Sequence, residues 1–433
     1  MQVVDEERVR PCPQCGTEIR TDSRFTTWCS ACDWNVDPVG DAEPERSHGP
    51  LERMRRATAR RHGELLHARV SGDGSGRRAG DLSVVLAYAI ACAVHGVTVV
   101  LAALGVWCVV AGWGGFGVLL GLILLFVAWN LRPRLPRLPE EGPLLRRDDA
   151  PALYGLVDEI ARVAGTRGVD VIAVDTDVNA GVMSCGVRGR RLLTLGLPLW
   201  EVLTPQQRIA LLGHELGHYG NGDTRRGIIP ATAYRSLVAW WEYTAPTRNP
   251  SPLEMVLNLL CLVPRALIVV VLRTLDKLTM RSTRHAEYLA DSFAAEAGSS
   301  VAAAELMDRL LVLDSVVVTL QRASNDPRAA RRGAGGAGGV EERAERLWAS
   351  LAADAASVPE HEYERSRRVS AIRGHCVDAT HPPTHLRRER LLSLTPVPAA
   401  VVMDDEREQR ISEELADARR LLARRILTDG FPG

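Results

Sequence analysis

From Leu82 to Leu131 the chain carries no Asp, Glu, Lys or Arg, and this fifty-residue apolar run dominates its hydropathy pattern. As helix at ~1.5 Å per residue it covers about twice the ~30 Å hydrocarbon thickness of a bilayer, so two spanning helices fit better than one. They are expected near 83–104 and 107–130, with the turn close to Gly105 or in the Gly-rich GWGGFG at 112–117. A hairpin in a soluble core rarely needs so long an uncharged run. A cleavable signal peptide is not expected, because the run begins some eighty residues into the sequence.

A second apolar stretch, LEMVLNLLCLVPRALIVVVL at 253–272, holds only Glu254 and Arg265 as charges. Pro264-Arg265 interrupts it, and a central Arg costs ~2.5 kcal/mol or more on insertion, so the stretch is expected to lie in the interface or pack on its domain rather than span. Elsewhere the pattern is amphipathic. Thr204 as N-cap, Pro205 at the first helical position and Gln207 three residues after the cap start a helix whose buried stripe is Ile209, Leu212 and Leu216. Gly220, Asn221 and Gly222 end it. Residues 284–298, RHAEYLADSFAAEAG, read as an Ala-rich helix ending at Gly298, and 404–426 as a charged terminal helix with a solvated face.

Charge adds orientation. The 53 basic and 53 acidic residues cancel at a pI near 7.2, which leaves no global basic field for nucleic acid. Locally, residues 51–80 hold eight arginines against Glu52, Glu64 and Asp73, and Arg132, Arg134 and Arg137 follow the apolar run. Its turn is uncharged, so the positive-inside rule puts both flanks in the cytoplasm. The expectation is a multi-pass cell-membrane protein in contact with the lipid bilayer, with its N-terminus and everything after residue 131 cytoplasmic.

Of nine cysteines, Cys12, Cys15, Cys29 and Cys32 form two C-x-x-C pairs thirteen residues apart, and the others are scattered. That is no disulfide framework, but it is the spacing that folds a short chain around one tetrahedral Zn2+. A segment of this size has too little core to fold unaided, so metal binding would supply its folding free energy.

The helix from Thr204 carries HELGH, which places His214 and His218 on one face about one turn apart. Two imidazoles there could share a zinc ion while Glu215 approaches the water bound to it; the same five residues also occur in helices that bind nothing. A third ligand would separate the two. Glu287 could supply it, and Asp291, one turn further along the Ala-rich helix, could accept the second ring N–H of a ligating histidine. Both could equally be exposed carboxylates on a solvated helix.

THPPTHLRRERL at 380–391 supplies context. HELGH with Asp223 five residues beyond His218, EYLAD at 287–291, HPP at 381–383 and Arg387 six residues after His381 occur in order. Over about residues 130–395 and the preceding hairpin, the chain resembles the HtpX-like integral-membrane zinc metallopeptidases, which include the type I CAAX prenyl proteases. The resemblance implies His214, His218 and Glu287 as zinc ligands, Glu215 as catalytic base, and His381 and Arg387 acting at the developing oxyanion or positioning substrate. It also implies Asp291 and Asp223 as supports behind the ligands. VDVIAVDTDVNAGVMSCG, with Asn179 and Ala180 matching the family's Asn-Ala pair, resembles the strand and edge that receive extended substrate; Gly181 stands where an aromatic is usual.

The expected protein is mainly α with a small β-sheet, a zincin-like HExxH domain. Its parts are a zinc ribbon at 1–45, a basic linker at 46–81, two transmembrane helices at 82–131, a metallopeptidase domain at 132–400 with the membrane-associated insert near 253–272, and a C-terminal helix at 401–433. Two zinc ions are expected, one catalytic and one structural, with protein or peptide substrates drawn from membrane or misfolded proteins. The rival from another class is an idle membrane scaffold that recruits a partner through its ribbon, and the presence of Glu215 speaks against it. A site inside a spanning helix is disfavoured by the polar neighbours Glu201, Gln206, Gln207 and Arg208.

Overall fold

The computed structural model describes residues 8–38, 82–112, 115–140, 142–186, 188–220, 227–247, 250–325, 338–373 and 381–431. The arginine-rich linker and Asp223 fall outside these residues.

At the N-terminus β1 (Arg8–Pro11) and β2 (Glu18–Thr21) form an antiparallel hairpin. Gly16 closes the turn between them at φ 77°, a left-handed conformation that costs glycine little. The apolar run forms α1 (Leu82–Ala111) and α2 (Phe116–Leu131), so the chain turns in the Gly-rich segment and not at Gly105. Gly105 instead lies where the helices touch: a Cβ there would sit 2.8 Å from Leu125 Cγ and 3.0 Å from the Gly121 carbonyl oxygen. Most large side chains of both helices face outward, Val99, Trp107, Phe116, Phe126 and Trp129 among them.

Next come β3 (Leu144–Leu145), α3 (Pro151–Val163), β4 (Val171–Asp175), β5 (Ala180–Cys185) and β6 (Arg190–Gly196). The sheet order is β3-β4-β6-β5, with β4 and β6 parallel and the other pairs antiparallel, which leaves β5 as an edge. Alternation along β4 and β6 turns Ile172, Val174, Leu193 and Leu195 into a core shared with Leu153, Leu156, Val157 and Ile160 of α3. After α4 (Leu197–Val202) comes α5 (Pro205–Gly220). Its capping box forms as the sequence suggests, with the Gln207 N–H donating to Thr204 Oγ1 at 3.4 Å and the Thr204 N–H to Gln207 Oε1 at 3.1 Å.

Beyond α6 (Ile228–Tyr243), the apolar stretch and the Ala-rich helix turn out to be one element: α7 (Pro252–Gly298) runs unbroken for 47 residues, about 70 Å at 1.5 Å per residue. Pro264 does not break it, and Arg265 turns back to α6, donating to the Trp241 carbonyl at 2.9 Å and lying 4.4 Å over its ring. The first half of α7 exposes Leu253, Val256, Leu260 and Val263; the second half is buried against α5. Among the described residues, α1 and α7 are the two helices long and apolar enough to cross a membrane. They meet through Ala87, Ala91 and Val94 on one side and Ile268 and Leu275 on the other, with Ala233 and Leu237 of α6 between.

The remaining helices are α8 (Ser300–Leu311), α9 (Leu313–Ser324), α10 (Gly338–Ala356), α11 (Glu360–Arg373), α12 (Thr384–Ser393), α13 (Asp405–Glu414) and α14 (Ala416–Asp429). The architecture is mainly helical with small sheets, as expected. The C-terminal segment differs from a single solvated helix. It is two helices whose Ile411, Leu415, Leu422 and Ile426 enter the main core, and the Glu414 carboxylate caps α3 by accepting from the Ala152 and Leu153 N–H groups at 2.6 and 2.9 Å. The many arginines and glutamates between these apolar positions hid the stripe in the sequence.

Candidate metal centre and active-site cleft

Two groups of side chains among the described residues converge as metal ligands do, each with its donor atoms within 4.8 Å of one another: Cys12, Cys15, Cys29 and Cys32, and His214, His218 and Glu287. In the ribbon, the Cys12–Cys32 and Cys15–Cys29 sulfurs are 3.7 and 3.6 Å apart. A tetrahedron with ~2.3 Å Zn–S bonds has edges of about 3.8 Å, whereas a disulfide needs about 2.05 Å. The Thr17 hydroxyl beside Cys15 draws its thiol down to about 6, toward the thiolate that a metal requires. The cysteine cluster fits zinc.

The second group is built by α5 and α7. Small residues let the two helices come close: a Cβ on Gly213 would lie 2.9 Å from Ala297 Cβ, and one on Gly217 would lie 2.9 Å from Phe293 Cδ2 and 3.1 Å from Ala290 Cα. This approach brings Glu287 opposite both histidines, with Oε2 3.5 Å from His214 Nε2 and Oε1 3.5 Å from His218 Nε2. His381, just ahead of α12, puts Nε2 at 3.2 Å from Glu287 Oε2. That buried carboxylate oxygen has no hydrogen-bond partner, an orphan that a cation among these nitrogens would satisfy. The donor set of two imidazoles and one carboxylate is also the one catalytic zinc prefers.

Behind the histidine lies a buried ion pair. His214 Nδ1 is 3.1 Å from Asp291 Oδ1, leaving Nε2 to face Glu287. Asp291 in turn accepts from Arg387 Nε at 2.9 Å and Nη2 at 2.6 Å, and both side chains are 0–1% exposed. Burial disfavours the His214 imidazolium, but Asp291 and Glu287 outweigh that and hold its pKa up at about 10. Opposite-sign neighbours likewise hold the Arg387 guanidinium charged despite burial. Arg387 is thus committed to Asp291, while His381 remains partly open to solvent.

The group opens into a cleft of ≈ 580 Å³ lined by His214, Glu215, His218, Glu287, His381 and Arg387, with Asn179 to Ser184 along one wall and Leu211, Leu306 and Met307 on its floor. Asn179 turns the chain into β5, its Oδ1 accepting from the Ala180 N–H at 2.9 Å. Tyr219 fixes β5 to the ligand helix, its hydroxyl donating to the Met183 carbonyl at 2.7 Å. A Cβ on Gly181 meets nothing within 4 Å, so the missing aromatic leaves open space in that wall. Asp223 lies outside the described residues.

The sequence marks His214, His218 and Glu287 as candidate ligands, whereas the close-packed glycines and alanines and the Tyr219 tie come to light only in the fold. Small residues four apart on both helices, Gly213 and Gly217 facing Ala290 and Ala294, were the available signal. Gly213→Ala should be destabilising by about 1–3 kcal/mol through overpacking. It should also lower metal retention, because Glu287 is carried away from His214; a melting curve with parallel metal analysis checks both, and unchanged values would mean the helices are free to separate.

An HExxH helix facing a glutamate on a second helix, beside the edge of a small sheet, defines the arrangement of a zinc metallopeptidase. Residues 150–395, more than half of the chain, match Peptidase family M48, and the chain belongs to that family. Curated relatives share local stretches with it. Protease HtpX homolog 1 of Sulfurisphaera tokodaii is 35% identical over 77 residues, 18% of this chain and 24% of that protein. The Protease HtpX homolog of Methanothermobacter thermautotrophicus is 30% identical over 120 residues, 26% of this chain and 45% of that protein. The matched stretch therefore spans less than half the length of either relative. No solved structure matches the chain.

Proposed function

We propose that the protein is a membrane-anchored zinc endopeptidase that hydrolyses peptide bonds in membrane or misfolded proteins. The observation that carries this reading is the convergence of His214, His218 and Glu287 beside Glu215, at the head of a cleft walled by an edge strand. His214, His218 and Glu287 would hold the catalytic ion and the four cysteines a structural one, two zinc ions per chain. When bound, the catalytic ion supplies Lewis acidity at the scissile carbonyl and lowers the pKa of water.

The chain's own groups do the rest. An extended substrate segment pairs with the free side of β5 from Asn179–Ala180 onward, as strand addition to a sheet edge allows. Glu215 takes the proton of the attacking water and passes it to the leaving amine. His381, open to the cleft, donates to the oxyanion, while Arg387 acts through Asp291, fixing the tautomer and tilt of His214. Asp223 is proposed to support the ligand helix in the same way.

The apolar faces of α1, α2 and the first half of α7 are proposed to contact the bilayer. The arginines that flank the hairpin favour, by the positive-inside rule, a cytoplasmic N-terminus, at 1–45, and a cytoplasmic catalytic domain, at 132–400. The purified full-length protein in detergent should cleave an unfolded protein substrate, lose that activity with 1,10-phenanthroline and regain it with Zn2+. Cleavage that survives removal of all metal would exclude a zinc peptidase; a metal-loaded preparation that cleaves nothing would favour a scaffold whose ribbon recruits a partner.

A further inference from the structure

The ribbon does not stand apart from the catalytic fold. Its second knuckle and the residues that follow it lie on α11, where three arginines reach them. Arg368 Nη1 donates to the Ser30 carbonyl at 2.7 Å and to Asp33 Oδ1 at 2.5 Å, and its guanidinium lies 4.9 Å over the Trp28 ring. Arg365 Nη1 donates to the Val36 carbonyl at 3.0 Å, and Arg373 Nε to Asp37 Oδ2 at 2.6 Å. From the ribbon side, Arg24 Nη1 donates to Ser357 Oγ at 2.9 Å, just ahead of α11. Asp37 is buried, and Arg373 covers it from the solvent side, its own side chain about two-fifths exposed.

One acceptor lies within the metal-binding part of the ribbon: Ser30 sits inside the Cys29–Cys32 knuckle and Trp28 directly precedes it, whereas Asp33, Val36 and Asp37 follow it. A metal held by those thiolates would fix the backbone that Arg368 contacts. On its other side α11 is tied to the active-site helix. Ser370 Oγ is 3.1 Å from His385 Nδ1 of α12, and Asp308 of α8 pairs with Arg367 of α11 at 3.0 Å and with Arg388 of α12 at 2.7 Å. α12 carries Arg387, the partner of Asp291, and His381 stands just before it.

We propose that the metal-loaded ribbon is an intramolecular brace: through Arg365, Arg368 and Arg373 it fixes α11, and through α11 the position of α12 with His381 and Arg387. The three arginines are positioning residues for the peptidase reaction; they touch neither substrate nor metal. The proposal rests on the peptidase reading, but its structural half can be measured without any turnover.

The test uses the full-length protein in detergent and an Arg365→Gln/Arg368→Gln/Arg373→Gln variant, followed by metal analysis, amide hydrogen exchange and kinetics on an unfolded substrate. The variant is expected to keep both metals and to exchange faster over 360–373 and 384–393. Its kcat should fall about 10-fold with KM unchanged, the size typical when an outer support of a metal site is lost. As a control on folding, Arg373→Asp alone should show the same direction, and Asp37→Arg combined with it should restore exchange and kcat toward the parent. Exchange unchanged in α11 refutes the brace. Faster exchange in α11 alone, or in both helices with kcat intact, refutes the coupling to the site. A parent protein without activity overturns the peptidase reading instead, and the exchange of α12 still decides the brace.

Discussion

A Glu287→Ala chain should purify with the ribbon metal in place, the histidine-site metal gone and peptidase activity at background. Catalytic zinc takes three protein ligands and keeps one position open, so two imidazoles alone leave the ion under-coordinated. The surroundings sharpen this. His214, His218, His381 and Arg387 all point nitrogens at the Glu287 carboxylate, at 3.2–3.8 Å. Without it, the carboxylate facing both histidines is lost, and the remaining buried anion, Asp291, is already engaged by Arg387. Asp291 requires a gentler variant, because Asp291→Ala would leave Arg387 buried and unpaired, a loss of ~3–5 kcal/mol that confuses folding with metal affinity. Asp291→Asn keeps the shape and should cost about 10- to 100-fold in affinity or activity. Full metal at the HELGH site in Glu287→Ala, with Asp291→Asn or Asp223→Asn emptied, would show that the third ligand had been misassigned.

Glu215→Gln is expected to separate chemistry from metal binding. The side chain lines the cleft beside His214 and His218 but is not one of the converging donors, so its loss should leave both metals in place. An amide cannot accept the proton of the attacking water, and removal of a general base costs about 10²–10⁴-fold in rate. Substrate should still bind along β5, so KM should change little while kcat collapses. Metal analysis with steady-state kinetics on the same preparation distinguishes the outcomes. A variant that retained parental kcat would move the base to another residue, such as His381, which also lines the cleft.

Local chemistry was legible before any fold was in view. C-x-x-C pairs, HELGH behind a Thr-Pro-x-Gln start and an uncharged fifty-residue run each depend on short-range spacing, and short-range spacing is what a sequence displays directly. These signals marked the cysteine ribbon, the ligand helix and its cap, and the hairpin. They offered two turns for the hairpin because a lone glycine and a glycine-rich segment both interrupt the run; the structure turns in the Gly-rich segment and uses Gly105 as a helix contact.

What the sequence could not decide depends on which surfaces meet. The apolar stretch at 253–272 and the Glu287 helix looked separate because hydropathy changes sharply between them, yet backbone hydrogen bonding ignores that change and carries α7 straight through. The resemblance implied that Arg387 acts at the oxyanion or positions substrate, but six residues from His381 says nothing about burial; the packing of α12 on α7 buries it against Asp291 at the edge of the cleft. The sequence by itself determined which residues could bind metal and where the HELGH helix begins, because donor type and capping are local properties. Only the tertiary structure decided that Glu287 meets both histidines, that Asp291 and Arg387 stand behind His214, and that the ribbon rests on α11, because each of these joins segments scores to hundreds of residues apart through close contacts between small, apolar or oppositely charged side chains.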